Sequence, residues 1–368
     1  MTPVEFRRAL HRRPELSFQE HETQQFIIDV LHSEGIPYRV IAGTGVLAII
    51  EGKRGGHERA VVLRADIDAL PIEELNDIEY RSENKGVMHA CGHDMHAAIL
   101  FGVLQSLNRE RNFEGTLFGI FQPGEELNPG GASLVLKEEP FKGYDVAAVI
   151  GEHVDARLEV GEIGICPGRF MASNDELRFR ISGRGGHAAR RKEVDDTVTA
   201  MADMVLRTTS LNSPDAVVSV GRMIAEGATN VIPNEVTAEG TMRTFDSEVR
   251  ERIYTHIHGN ARMVAQKYGV EVDVDINRGY PCVVNDVLIS YEAMIIAADE
   301  GITVRELQPM TTAEDFGFYT ELYPSLFYRL GVGELSGGSH TATFCPDEAA
   351  IEVGERMMRR MALHILNK

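Results

Sequence analysis

The sequence predicts an α/β protein: a helix-covered mixed sheet interrupted by an inserted βαββαβ domain. Three observations lead there. Short apolar runs alternate with helical stripes in the first half, the pattern changes to clean two-residue alternation near Asp175, and the first pattern returns after Pro281. At 368 residues the chain has room for two domains, and 43% hydrophobic content supports a large core.

Taken in order, Phe26, Ile27, Val30 and Leu31 share a helical face, with Gly35 as a stop. Val46 to Ile50 and Ala60 to Leu63 read as buried strands. Ile99, Val103 and Leu107 mark a second helix, and strands follow at Thr116 to Phe121 and Asp145 to Ile150. In the insert, Leu177, Phe179 and Ile181 alternate with Glu176, Arg178 and Arg180, the signature of a half-buried strand. Val194, Val198, Met201 and Val205 predict a helix. Strands at Ala216 to Val220 and Glu235 to Arg243 come next, then a helix on Val249, Ile253, Ile257 and Val264. Val270, Val272, Val274 and Ile276 close a ferredoxin-like unit. A helix at Val287 to Asp299, a strand at Ser325 to Gly331 and a helix at Ala349 to Leu366 complete the outer domain. The expected division is 1–172 with 284–368 as one domain and 173–283 as the other.

A formal net charge of -19 disfavours nucleic acid and anionic membranes as partners. No apolar run approaches the ~20 residues of a bilayer span. Four cysteines without a CxxC pair, and a charged start (MTPVEFRRALHRRPEL), make the cytoplasm the expected setting.

Residues able to do chemistry gather after strand-like segments, where α/β proteins place their sites. Arg64-Ala-Asp66-Ile-Asp68 follows the run AVVL; alone, it is equally a charged loop start with a cap. His89, Cys91, His93 and His96 fall within eight residues and offer imidazole and thiol, donors typical of zinc-like metals. Glu125 and Glu126 follow TLFGIF. Adjacent carboxylates repel unless a cation offsets them, although a solvated turn is equally consistent with that pair alone. His153 follows DVAAVI, and His340 follows a glycine-rich loop. In the insert, the residues by themselves favour a turn histidine at His187 and an exposed strand residue at Arg243.

In register, RADIDALPI, MHACGHDMHAA, FQPGEE, GRGGHAA, NVIP and GTMR resemble the metal-dependent aminoacylase and carboxypeptidase family. The resemblance is to its amidohydrolase branch of hippurate hydrolases, auxin-conjugate hydrolases and N-acetyldiaminopimelate deacetylases. It runs from RRALHRRPELSFQE to SHTATFCPDEAAIEVG. It implies that Cys91, His93, Glu126, His153 and His340 hold two divalent metal ions per subunit (Zn, Mn, Co or Ni). It further implies Glu125 as general base and Asp66 as the residue orienting a metal-binding histidine. His187 would serve the partner subunit's site, Asn230 and Arg243 would hold the substrate carboxylate, and the subunits would form a homodimer through the inserted lid. Gly124 stands where the family usually has alanine. Glu152 replaces an apolar residue, which leads to the expectation that it adds charge to the metal site or meets a cationic substrate. The implied reaction is hydrolysis of N-acyl amino acids, with N-acetyldiaminopimelate the leading specific substrate. Alternatives are a broad N-acyl or N-aroyl amino acid hydrolase, a dipeptidase, or an inactive binding protein on the same fold.

Overall fold

The computed structural model describes residues 1–368, and the chain divides into two compact units. The first comprises Met1–Phe170, Val284–Pro309 and Asp315–Lys368; the second comprises Met171–Val283 and Met310–Glu314. The short return of Met310–Glu314 to the second unit has no sequence signal. It is held there by backbone bonds, since Ala172 N donates to the carbonyls of Met310 and Thr312 at 3.0 and 3.1 Å.

The first unit is built on an eight-stranded mixed sheet. Its order is Tyr38–Ile41, Gly45–Glu51, Thr116–Gln122, Arg59–Asp66, Asp145–Asp155, Ser325–Gly331, Glu162–Ile165 and Thr303–Glu306. The central four, from Thr116–Gln122 to Ser325–Gly331, run parallel. Strands Thr116–Gln122 and Ser325–Gly331 are buried along their whole length, which explains why they read as continuous apolar runs. Helices His93–Glu110 and Ala350–Leu366 pack on one another and on the sheet. The opening helix, Pro3–Arg12, starts from a capping box: Thr2 Oγ1 accepts from Glu5 N and the Glu5 carboxylate accepts from Thr2 N.

The second unit is a four-stranded antiparallel sheet in the order Ala216–Ala225, Glu235–Thr244, Asp175–Ser182, Glu271–Arg278. With helices Thr197–Thr209 and Ser247–Tyr268 this is the predicted βαββαβ unit. Leu177, Phe179 and Ile181 are buried while Glu176, Arg178 and Arg180 are exposed, as their alternation requires. Each such burial contributes roughly 1.5–3 kcal/mol. The first helix begins later than its apolar stripe indicates: Asp196 caps it by accepting from Thr199 N, so Val194 lies outside. No helix is long and apolar enough to cross a membrane.

Candidate metal centre

The carboxyl ends of the four parallel strands of the first unit all deliver polar residues to one region. Asp66 ends one strand, with Asp68 two residues on; Glu125 and Glu126 follow the next; His153 sits near the end of the third; His340 follows the fourth. A parallel sheet makes this possible because its strand ends lie side by side.

Cys91 and His93 come from the turn that starts helix His93–Glu110. Gly92 between them has φ +89°, and a Cβ there would lie 2.6 Å from Val154 Cγ2, so no larger residue fits the turn. Gly124 is constrained in the same way. It has φ +59°, and a Cβ would meet the Phe18 ring at 2.2 Å, which accounts for glycine at this position.

The donor atoms converge. Those of Cys91, His93 and His153 lie within 4.8 Å of one another, as do those of Cys91, Glu126 and His340, and those of His93, Glu125 and Glu126. Cys91 Sγ is 3.2 Å from Nε2 of both His153 and His340, and His340 Nε2 is 3.2 Å from Glu126 Oε1. The thiol thus stands between two sets of donors.

The outer ring nitrogens fix the tautomers. His93 Nδ1 donates to Asp68, whose carbonyl and Oδ1 lie at 2.9 and 3.1 Å. His153 Nδ1 donates to the Val154 carbonyl at 2.7 Å. Both rings therefore turn an Nε2 lone pair inward. His93 Nε2 is buried and has no hydrogen-bond partner, with carboxylate oxygens of Asp66 and Glu126 at 3.7 and 4.0 Å. A buried acceptor surrounded by acceptors is costly unless a cation sits among them. Burial pushes the Cys91 thiol up to about 12, whereas burial works to lower His93 and is outweighed, chiefly by the charge of Asp66, so that His93 is raised. The His93 shift describes a site that draws in positive charge, and a divalent cation would displace the protons of both groups. The donor set fits such a metal.

The resemblance gives Asp66 the task of orienting a metal-binding histidine, but Asp68 is the residue bonded to His93. Asp66 Oδ1 lies 2.6 Å from Nδ1 of His96, whose Nε2 accepts from Val154 N at 3.0 Å. With both nitrogens engaged, His96 has no lone pair for a metal, and it pins the strand that carries His153. Asp68 Oδ2 also accepts from Glu126 N at 3.0 Å and from Ser17 Oγ at 2.6 Å. The signal that could have singled it out is the two-residue spacing of Asp66 and Asp68 at a strand end. Beneath them Arg64 is fully buried, bonded to Asp66 Oδ2 at 2.6 Å, Asp315 Oδ1 at 2.7 Å and Gln122 Oε1 at 3.0 Å. That buried cation offsets part of the carboxylate charge.

Glu152 overturns its expectation. Side chains alternate along a strand, so Glu152 faces away from its neighbour His153. It is fully buried and accepts from Tyr328 Oη at 2.7 Å, and burial pushes its carboxyl up to about 8, so it contributes no charge to the site at neutral pH. His89 is likewise a core residue: both ring nitrogens are buried without partners, and burial lowers it to about 4.

The remaining candidates belong to the second unit. His187 is exposed in a two-residue strand and pairs with Val231, next to Asn230, whose carbonyl accepts from Ala188 N at 2.8 Å. His187 Nδ1 accepts from Ala189 N at 3.2 Å, which makes Nε2 the protonated, outward donor. Arg243 lies apart from that ribbon, near the end of strand Glu235–Thr244. It is half-buried and bonded to Asn174 Oδ1 and, at 2.9 Å, to Thr241 Oγ1.

Residues 62–364 match the model of the peptidase family M20/M25/M40. The chain belongs to this family. It is 35% identical over 99% of its length to an N-acetyl-L-cysteine deacetylase of Bacillus subtilis, covering 88% of that protein. It is 34% identical to an N-acetyldiaminopimelate deacetylase of Exiguobacterium sibiricum, with 95% of each chain covered. Among solved structures, a dinuclear metal binding peptidase of the same family from Bacillus subtilis superposes with a TM-score of 0.87 at 34% identity, with 99% of this chain and 97% of that one covered. A putative aminohydrolase from methicillin-resistant Staphylococcus aureus gives a TM-score of 0.92 at 28% identity, covering 99% and 96%. The protein is therefore a metal-dependent hydrolase of linear amides.

Proposed function

We propose that the protein removes the acyl group from N-acyl amino acids at a centre of two divalent metal ions held by Cys91, His93, Glu126, His153 and His340. The observation that carries this reading is the unpartnered His93 Nε2 between donor sets that share Cys91. Mixed thiolate, imidazole and carboxylate donors suit Zn, Mn, Co or Ni. Bound there, the cations supply Lewis acidity that lowers the pKa of water toward neutrality.

Glu125 then takes the proton of the attacking water and delivers it to the leaving amine. Its position beside Glu126 puts base and ligand on one turn. His187, with its outward Nε2–H, is assigned to the developing oxyanion of the partner subunit's site. Arg243 is assigned to the substrate α-carboxylate, a charge-assisted contact that orients the amide, and Asn230, on the ribbon with His187, to the substrate carboxylate in the site that His187 serves. The subunit partner is a second copy joined through the second unit. Its strand Ala216–Ala225 forms an open sheet edge, and Val217, Met223, Leu206 and Met263 are exposed in that unit.

Acetyl is the favoured acyl group because the relatives named above are N-acetyl amino acid deacetylases. N-acetyldiaminopimelate is the leading substrate, and N-acetylcysteine is the second, the relatives named for them being 34% and 35% identical. A reducing cytoplasm is the proposed setting, where the four free thiols stay reduced. The test is free-amine release from a panel of N-acetyl, N-aroyl and dipeptide substrates with each metal added in turn. Cleavage of dipeptides alone would contradict the deacylase reading.

A further inference from the structure

Helix Val287–Asp299 is apolar on the side that faces the core and also on the side that faces away. Ile289, Ala293, Ile296 and Ala297 are buried, whereas Val287, Leu288, Tyr291 and Ile295 are 52, 66, 54 and 62% exposed. Their spacing forms one continuous stripe along the outer face. Val284, just before the helix, and Leu322, on the adjoining turn, extend it at 39 and 61% exposure. A solvated helix normally carries charge on this side. Here the only charged residue from Val287 to Ala298 is Glu292, and it is engaged by Lys368 and His364.

The six side chains offer on the order of 600 Å² of apolar surface, at the upper end for one patch on a monomer. A stable interface takes about 800 Å² from each partner, so this patch nearly supplies one. Its relief is self-complementary. At the helix start a hollow of about 570 Å³ opens between Val284–Leu288 and Thr320–Ser325. Tyr291 and Ile295 form a ridge roughly 10 Å further along the same axis, at ~1.5 Å per residue.

We propose that this face docks a second copy of the chain, the two helices antiparallel across a two-fold axis and the ridge of each in the hollow of the other. Such isologous contacts need one patch that carries both shapes. The outer face of the helix sets no unpaired charge against its copy, while Asp286 and Glu321 lie in the hollow at its start. The face belongs to the first unit and the open sheet edge to the second, so the two interfaces would be built from different elements.

The test is sedimentation of the full chain beside a Leu288→Glu/Ile295→Glu double variant, with Leu206→Glu as a control on the second unit. Both helix positions are exposed, so each chain should stay folded and keep its metal content. The double variant should sediment at no more than half the wild-type mass, whatever becomes of the other interface. Tyr291→Cys should form a covalent dimer on mild oxidation that wild type does not, because the mid-helix residue lies near the two-fold axis; wild type controls for the half-buried Cys345, the other three cysteines being buried. An unchanged mass in the double variant overturns the proposal. Loss of binding to phosphatidylcholine vesicles with unchanged mass also overturns it, and assigns the face to a lipid surface.

Discussion

Replacing Asp68 with asparagine should separate the support of the metal centre from the support of the fold. The carboxylate is 1% exposed and does three things: Oδ1 orients His93, while Oδ2 accepts from Ser17 Oγ and from Glu126 N. An amide has one acceptor atom where the carboxylate has two. The Asp68 carbonyl at 2.9 Å still holds the His93 tautomer. If the amide oxygen stays with His93, the NH2 group meets the Glu126 N–H, donor against donor at a 3.0 Å contact, and the segment bearing Glu125 and Glu126 must shift. If the amide turns over, the NH2 faces His93 Nδ1–H instead. Either way one proposed ligand is displaced. Losses of this kind typically reduce metal affinity ~10–100-fold, which is about 1.4–2.7 kcal/mol at ~1.4 per tenfold.

Asp66→Asn makes the contrast. It leaves the His93 contact intact but takes charge from the buried Arg64 and from His96, and breaking a buried pair costs roughly 3–5 kcal/mol of stability. The assays are competition with a chelator for bound metal and urea unfolding. Asp68→Asn should lose affinity with a small change in unfolding midpoint, and Asp66→Asn the reverse. Wild-type metal affinity in Asp68→Asn would refute the assignment of Asp68 as the orienting residue.

Glu125→Gln should retain metal and lower turnover ~100–10,000-fold, the usual worth of a general base; near-wild-type turnover would remove Glu125 from that role. Cys91→Ser should lower metal content per chain, read by elemental analysis, since Cys91 Sγ is the donor common to both sets; unchanged content would contradict its place between them. Arg243→Ala should harm substrates with a free α-carboxylate far more than their amidated counterparts, and equal losses would make Arg243 structural. His11 lies between Asp94 and Glu74 at 2.9 and 3.1 Å, and its partners raise it to about 9 despite burial. Because the folded value lies above the ~6.5 of an unfolded histidine, its contribution is complete below about pH 6.5 and is lost as pH rises through about 9. His11→Gln should therefore cost stability at pH 6, roughly 3 kcal/mol from the size of the shift, and little at pH 9.5; equal urea midpoint differences at both would exclude this.

Much of the fold is legible because burial imposes a period. The alternation at Leu177, Phe179 and Ile181 and the unbroken runs at Thr116–Gln122 and Ser325–Gly331 can be read without coordinates. Local bonds that override the period are not: Asp196 starts a helix after Val194, and backbone bonds carry Met310–Glu314 into the second unit. In the site, donor types in the CGHD and Glu-Glu motifs are visible as chemistry. Their partners are not, because Asp66 and Asp68 look equivalent until each histidine is seen to face one of them. Glu152 looked functional beside His153, but strand geometry turns neighbours to opposite faces.

The central claim is most directly tested by stripping the protein of metal and titrating Zn, Mn, Co or Ni back while free amine released from an N-acetyl amino acid is followed. The account predicts no release from the stripped protein and recovery that saturates at two ions per chain. Full hydrolysis in the presence of chelator, or saturation at a single ion, would contradict a two-metal centre around Cys91.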